Sequence, residues 1–172
     1  MNRKQFLVAM AGGAAAAAQT PTGFKARRKV YTHTGEIGAP PEAIFPLLCP
    51  VREYEWLDGW KCEMVYSDSG VAEDNCIFKT AYSGTMTWNV SRYEPPQRIE
   101  FVGMIPDMVL MRLNIVLEKV GRGTRITWTR MFTSLSEAGH ASLGSWNNER
   151  SQRLNNQIEY FLRTGKMLRN AG

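Results

Sequence analysis

The chain of 172 residues holds only two histidines, His33 and His140, far apart and without metal-ligand spacing around either. A two-histidine, one-carboxylate iron centre is therefore not expected. Walker loops, dinucleotide fingerprints and nucleophile elbows are missing too, because the glycines of AGGA (11–14) and GRG (121–123) lie outside any strand-to-helix phosphate turn. Nucleotide-dependent and covalent catalysis lose their basis, and no cofactor or metal is expected. Charge of one sign is scarce as well. Setting aside Arg3 and Lys4, 19 basic residues face 16 acidic ones, a net +3 scattered along the chain, which argues against nucleic acid or an anionic membrane as partner. Cysteine is limited to Cys49, Cys62 and Cys76, and a chain of this length buries a core without staples. After residue 18 there is no internal repeat and no low-complexity tract.

What is present begins with an address label. Arg3 and Lys4 form a short basic region, Phe6 to Ala18 an alanine-rich apolar one, and Ala16-Ala17-Ala18 offers a cleavage site before Gln19. The run is too short to span a bilayer. Residues 1–18 are thus expected to be an export signal, giving a periplasmic or extracellular protein without integral membrane association. The opening NRKQFL also resembles a twin-arginine signal with lysine in the second position, so the export route stays open. Residues 19–27 are expected to be a flexible lead-in and 28–170 a single domain.

Within that domain the hydrophobic period is two, then 3.6. A strand is predicted at Lys29–Ile37, followed by a short helix opened by Pro40-Pro41 and broken at Pro50. Six more strands are predicted near 60–66, 75–82, 85–93, 98–104, 109–119 and 124–133, separated by DSG, SG, EPP, IPD and GRG turns. A terminal amphipathic helix carries Leu143, Trp146, Leu154, Ile158, Phe161, Leu162 and Leu168 on one stripe. Ser134 and Glu137 have capping-box spacing, while Gly139 and Gly144 place the start of the continuous helix near Ser145, with 135–144 as a loop. The fold class is α+β: a curved antiparallel sheet wrapped around one long C-terminal helix, with one or two short helices after the first strand.

Alternation assigns the faces. Ile126, Trp128, Arg130 and Phe132 share one face of the last strand; Val109, Met111, Leu113, Ile115 and Leu117 share one of the preceding strand; Met86, Trp88 and Val90 share another. The interior is rich in methionine and tryptophan, which serves a core as well as a ligand cavity. Tyr54, Trp56, Leu57 and Trp60 crowd the irregular LDGW segment, expected either to close one side of a cavity mouth or to pack under the sheet edge. Arg150 falls in the apolar helix stripe, four residues after Trp146 and four before Leu154, where a guanidinium must meet an anion or water.

The segment IGAPPEAIFPLL (37–48) after a first strand, then six strands and a terminal helix, resembles the START-like helix-grip superfamily, or SRPBCC, over roughly residues 28–170. The stretch CPVREYEWLDGWKCEMVYSDSG (49–70) resembles a bacterial subgroup of it. The resemblance implies a hydrophobic cavity between sheet and helix, used in different members to carry lipids, bind hormone-like molecules or cyclise polyketides. In such a fold Arg130 and Arg150 oppose each other, and together they are expected to read an anionic group on a hydrophobic ligand. Trp88, Met111, Trp128, Phe132, Trp146, Tyr54 and Trp56 complete the candidate ligand-binding set. The alternative for the arginines is internal pairing with Glu36, Asp58, Glu100 or Asp107.

The function expected is that of an exported binding protein for a hydrophobic or amphipathic small molecule. The alternative is a cyclase or dehydratase without metal or nucleotide, in which Arg130 or Arg150 stabilises an enolate and Tyr54, His33 or an inward carboxylate moves protons; no catalytic residue is assigned. A chaperone-activator role is weakened by the export signal. A turn centred at Ser69 sets Cys62 opposite Cys76, and a cross-strand disulfide there competes with three buried free thiols.

Overall fold

The computed structural model describes residues 23–81, 85–145 and 147–169. Among them, seven strands form one antiparallel sheet: β1 Arg28–Ile37, β2 Cys62–Tyr66, β3 Ile77–Thr80, β4 Met86–Glu94, β5 Arg98–Ile105, β6 Val109–Val120 and β7 Gly123–Ser134. Their spatial order is β1, β7, β6, β5, β4, β3, β2, so every neighbour except the β1/β7 pair is joined through consecutive chain. Irregular register between Val90 and Arg92, and between Met64 and Tyr66, adds bends of the kind that curve a sheet. The expected export signal, the first four residues of the lead-in, Tyr82, Trp146 and residue 170 lie outside the described residues.

The predicted faces are the observed ones. Ile126, Trp128, Arg130 and Phe132 are all buried on β7, as are Val109, Met111, Ile115 and Leu117 on β6. β2 and β3 are shorter than expected, for local reasons. Trp60 donates its backbone N–H to Leu57 in a turn, and Asn75 adopts a left-handed φ of 65° that interrupts extended backbone before Ile77.

The β2/β3 register corrects the disulfide expectation. Cys62 stands opposite Thr80, whereas Cys76 precedes β3 and its carbonyl accepts from the Val90 N–H. The connecting loop is organised around Glu73, whose carboxylate accepts from Ser67 Oγ and from the backbone N–H groups of Asp68 and Ser69, so no symmetric turn forms at Ser69. Cys49, Cys62 and Cys76 are free thiols.

Two helical layers complete the fold. Helix α1, Pro41–Ile44, starts on a proline and runs into a 3-10 turn at Phe45–Leu48, together burying Ile44, Phe45, Leu47 and Leu48. After β7, α2 occupies Glu137–Ser142 and a 3-10 turn Leu143–Ser145, where a loop was expected. The capping box is not used: Ser136 is the N-cap and accepts from the Gly139 N–H, while Ser134 Oγ ties down the Arg27 backbone. The long helix α3 spans Glu149–Thr164, starting later than expected, and buries Leu154 and Ile158, with Phe161 and Leu162 packed alongside. Gly35 on β1 lets α3 approach, since a Cβ there would stand 2.6 Å from Asn155 Nδ2. Beyond the helix, Leu168 leaves the stripe and bridges Leu57, with Arg169 3.5 Å from Asp58. No helix among the described residues is long and apolar enough to cross a membrane.

Candidate functional site

A pocket lies between the concave face and α3. Its walls are Phe78 and Thr80 of β3, Met86 and Trp88 of β4, Phe101 of β5, Met111, Leu113 and Ile115 of β6, Trp128 and Arg130 of β7, and Arg150 and Leu154 of α3. Pro50, Glu53, Trp56, Leu57 and Trp60 line the remaining side, with Trp56 and Leu57 packed into the core as well. Phe78, Trp88 and Phe101 form an aromatic cluster with centroids 6.0 to 6.3 Å apart. Gly103 on β5 makes room for it, because a Cβ there would meet the Trp88 ring at 2.5 Å.

The four pocket tryptophans present carbon faces only. Each indole N–H is already spent on protein: Trp56 on the Leu47 carbonyl at 2.8 Å, Trp60 on the Pro50 carbonyl at 2.8 Å, Trp88 on Thr80 Oγ1 at 3.1 Å and Trp128 on Asn155 Oδ1 at 2.7 Å. Polar recognition in the pocket therefore falls to its charged groups and the Thr80 hydroxyl.

Arg130 is 4% exposed, donates to Ser151 Oγ, and holds its guanidinium 5.2 Å from the centre of the Trp128 ring. Period two on β7 and helical period on α3 bring it and Arg150 into the same cavity, as expected. Burial, then the like charge of Arg150, lower the Arg130 guanidinium to about 9, which leaves it charged at neutral pH.

Glu53 is the residue that sequence reasoning missed. In a 3-10 turn residues three apart share a side, and the Glu53–Glu55 turn thus sets Glu53 with Trp56 toward the pocket, while Glu55 turns out to pair with Arg52 at 2.7 Å. Glu53 is half-buried and lines the cavity. Burial raises its carboxyl to about 8, against the opposing pull of Arg150 and Arg130. Of the partners expected for the arginines, Glu36 pairs with Arg125 at 3.4 Å, and Glu100 with Arg112 at 2.8 Å and Arg98 at 3.7 Å. The carboxyl that acts on both pocket guanidiniums is Glu53 instead.

Not every candidate reaches the pocket. Phe132 is fully buried in a separate cluster with Met86, Val109, Met111 and Leu143, its ring edge-on to Tyr31. Tyr54 is exposed; its hydroxyl donates to the Cys62 carbonyl and accepts from the Cys62 N–H, both at 2.8 Å, pinning the segment to β2. His33 is half-buried on β1 opposite Trp128, outside the pocket lining. Trp88, Met111, Trp128 and Trp56 do line it.

A curved antiparallel sheet closed over a C-terminal helix, with an apolar cavity between them, defines a helix-grip protein. The chain belongs to the family described as polyketide cyclase / dehydrase and lipid transport, whose model matches residues 28–156. Solved structures share the fold at low identity. Norcoclaurine synthase from Thalictrum flavum, in complex with dopamine and hydroxybenzaldehyde, is 14% identical with a TM-score of 0.64, covering 82% of this chain and 90% of its own. Ara h 8.0201 is 14% identical with a TM-score of 0.61, covering 80% and 99%. A protein from Mesorhizobium loti is 16% identical with a TM-score of 0.60, covering 79% and 98%. No curated protein matches the chain. The family description spans catalysis and transport, so the pocket's own chemistry must choose between them.

Proposed function

We propose that this protein is exported and holds a hydrophobic or amphipathic small molecule with an anionic group, its carbon skeleton against the tryptophan walls and its anion toward Arg130 and Arg150. One observation carries the reading: two guanidiniums line a cavity whose indole N–H donors are all engaged within the protein. Aromatic and methionine surface supplies affinity without direction, and the planar guanidinium fork supplies the direction. Burial strengthens that preference, because a charge pair formed away from water is screened less.

A matched pair of probes tests it: 1-anilinonaphthalene-8-sulfonate, an anion, and N-phenyl-1-naphthylamine, its neutral counterpart. Arg130→Met and Arg150→Met are expected to weaken the sulfonate by about tenfold or more, in keeping with about 1.5–3 kcal/mol for a charge-assisted hydrogen bond. The neutral probe should bind all three proteins alike. Equal binding of the sulfonate by all three would remove the anion-reading role.

The cyclase or dehydratase reading keeps one supporting observation. A carboxyl held at about 8 beside two guanidiniums can exchange protons near neutral pH next to groups suited to an enolate. Turnover of a polyketide-like or aromatic carbonyl substrate, abolished in Glu53→Gln, would establish it. Ligand returned chemically unchanged would favour binding alone.

A further inference from the structure

Glu53, Arg130 and Arg150 line one cavity, and both guanidiniums act on the Glu53 carboxyl. The carboxylate and an incoming anion are therefore rivals for the same two cations. Resting on the anion-binding reading above, we propose that the pocket takes up a hydrophobic anion and one proton as a pair: Glu53 as a carboxylate competes with the ligand for the positive charge of Arg130 and Arg150, and Glu53 in its acid form does not. The balance is simple. Ligand anion, proton and the ionised site give the complex with Glu53 as carboxylic acid, and release of the ligand above the titration range returns the proton to solvent.

The geometry makes the coupling strong. Two like charges sharing a low-dielectric site disfavour each other's ionisation, as in paired catalytic carboxylates. Here the second negative charge is the ligand's. The Trp128 ring lies 5.2 Å from the Arg130 guanidinium, and no indole N–H of the lining is left over to solvate the anion. The groups that bear on Glu53 are Arg130 from β7 and Arg150 from α3, and it in turn acts on the thiols of Cys49, just ahead of its own segment, and Cys62 on β2. Both thiols are raised above their ordinary value, chiefly by burial, so they stay neutral where Glu53 titrates.

The direction follows from the Glu53 carboxyl lying at about 8 in the empty pocket. Below that pH the site already carries its proton and anion affinity is flat. Above it the anion must bring the proton with it, and affinity falls by up to about tenfold per pH unit. The experiment uses full-length protein and 1-anilinonaphthalene-8-sulfonate, whose sulfonate stays ionised throughout, so any proton taken up belongs to the protein. Calorimetric titration at pH 8.5 in phosphate and in Tris is expected to give enthalpies that differ by about 0.5–1 proton's worth of buffer ionisation. Sulfonate affinity should fall between pH 7.5 and 9.5, while N-phenyl-1-naphthylamine affinity stays level.

Glu53→Gln keeps the shape and removes this titration, so its sulfonate affinity should stay level up to about pH 8.5 and fall only as Arg130, lowered to about 9, gives up its charge. Its unchanged affinity for the neutral probe reports an intact pocket. Arginine-dependent sulfonate binding without proton uptake overturns this inference alone. A fall below about pH 8.5 that is as steep in Glu53→Gln as in the wild type overturns it too, because Glu53 is then not the group that titrates. Sulfonate binding indifferent to Arg130→Met and Arg150→Met overturns the anion-binding reading along with it.

Discussion

Replacing Glu53 by glutamine should stabilise the empty protein, and more so at higher pH. The reason is a sign that runs opposite to most native carboxylates. Glu53 has an ordinary value of 4.5 and is raised to about 8 in the folded protein, so between these values the folded state holds a proton that the unfolded state has lost. Stability then falls as pH rises through that window, at about 1.4 kcal/mol per pH unit, and levels off above the folded value. By pH 7 the deficit reaches about 3 kcal/mol relative to pH 4.5. Other groups titrate over the same range, so the quantity to measure is the difference between wild type and Glu53→Gln. Urea unfolding from pH 5 to 9 should show the variant gaining steadily up to about pH 8 and then holding. At about 2–4 °C per kcal/mol for a domain of this size, the gap at pH 7 is about 6–12 °C in thermal midpoint. A gain over wild type no larger at pH 8 than at pH 5 would mean that Glu53 is ionised and well paired in the resting pocket, and the argument that its burial outweighs the pull of the two guanidiniums would fail.

Two further outcomes are expected from the same coordinates. Trp56 is 1% exposed and donates to the Leu47 carbonyl, so Trp56→Ala should cost about 3–5 kcal/mol in urea unfolding besides enlarging the pocket; a loss below about 1 kcal/mol would make it a loosely held lid residue rather than part of the core. Thiol titration of the denatured, unreduced protein should find three free cysteines, and reductant should leave the thermal midpoint unchanged; a peptide joining Cys62 to Cys76 would refute the observed β2/β3 register.

The sheet was legible because one of its faces is buried along nearly every strand, and period two reports such a face directly. Ile126, Trp128, Arg130 and Phe132 emerged as a set for that reason, and all four are buried. Alternation fixes a face but not a position along it. Phe132 and Arg130 are two residues apart on one strand, yet the first packs with Val109 and Leu143 and the second opens on the cavity. What separates them is where α2 and α3 cross the sheet, and neither was placed by its glycines: Gly139 lies inside α2, where a loop was expected, and α3 starts at Glu149 rather than near Ser145. The β2/β3 register was hidden for a related reason. It depends on Glu73 collecting the donors of its own loop, a polar arrangement that hydrophobic spacing does not encode.

Glu53 was illegible for a deeper reason, and that bears on how the site works. It sits in an irregular segment with no period to betray a buried side, between an outward Arg52–Glu55 pair and the exposed Tyr54. Only the fold reveals that the single 3-10 turn aims it inward. A scaffold of satisfied tryptophans and methionines would carry an apolar molecule unaided, so the three charged side chains of the lining are not needed for capacity. They cost stability wherever they are desolvated. Glu53 and Arg130 are both shifted toward their neutral forms, with burial the leading cause in each case. A pocket that pays this cost in the empty state recovers it when an anion arrives, because the ligand's charge then compensates an Arg130 guanidinium already held in place by Ser151 and the Trp128 ring. The destabilised charges and the expected preference for an anion thus have one origin, and Glu53→Gln should relieve the first while removing the pH dependence of the second below about pH 8.5.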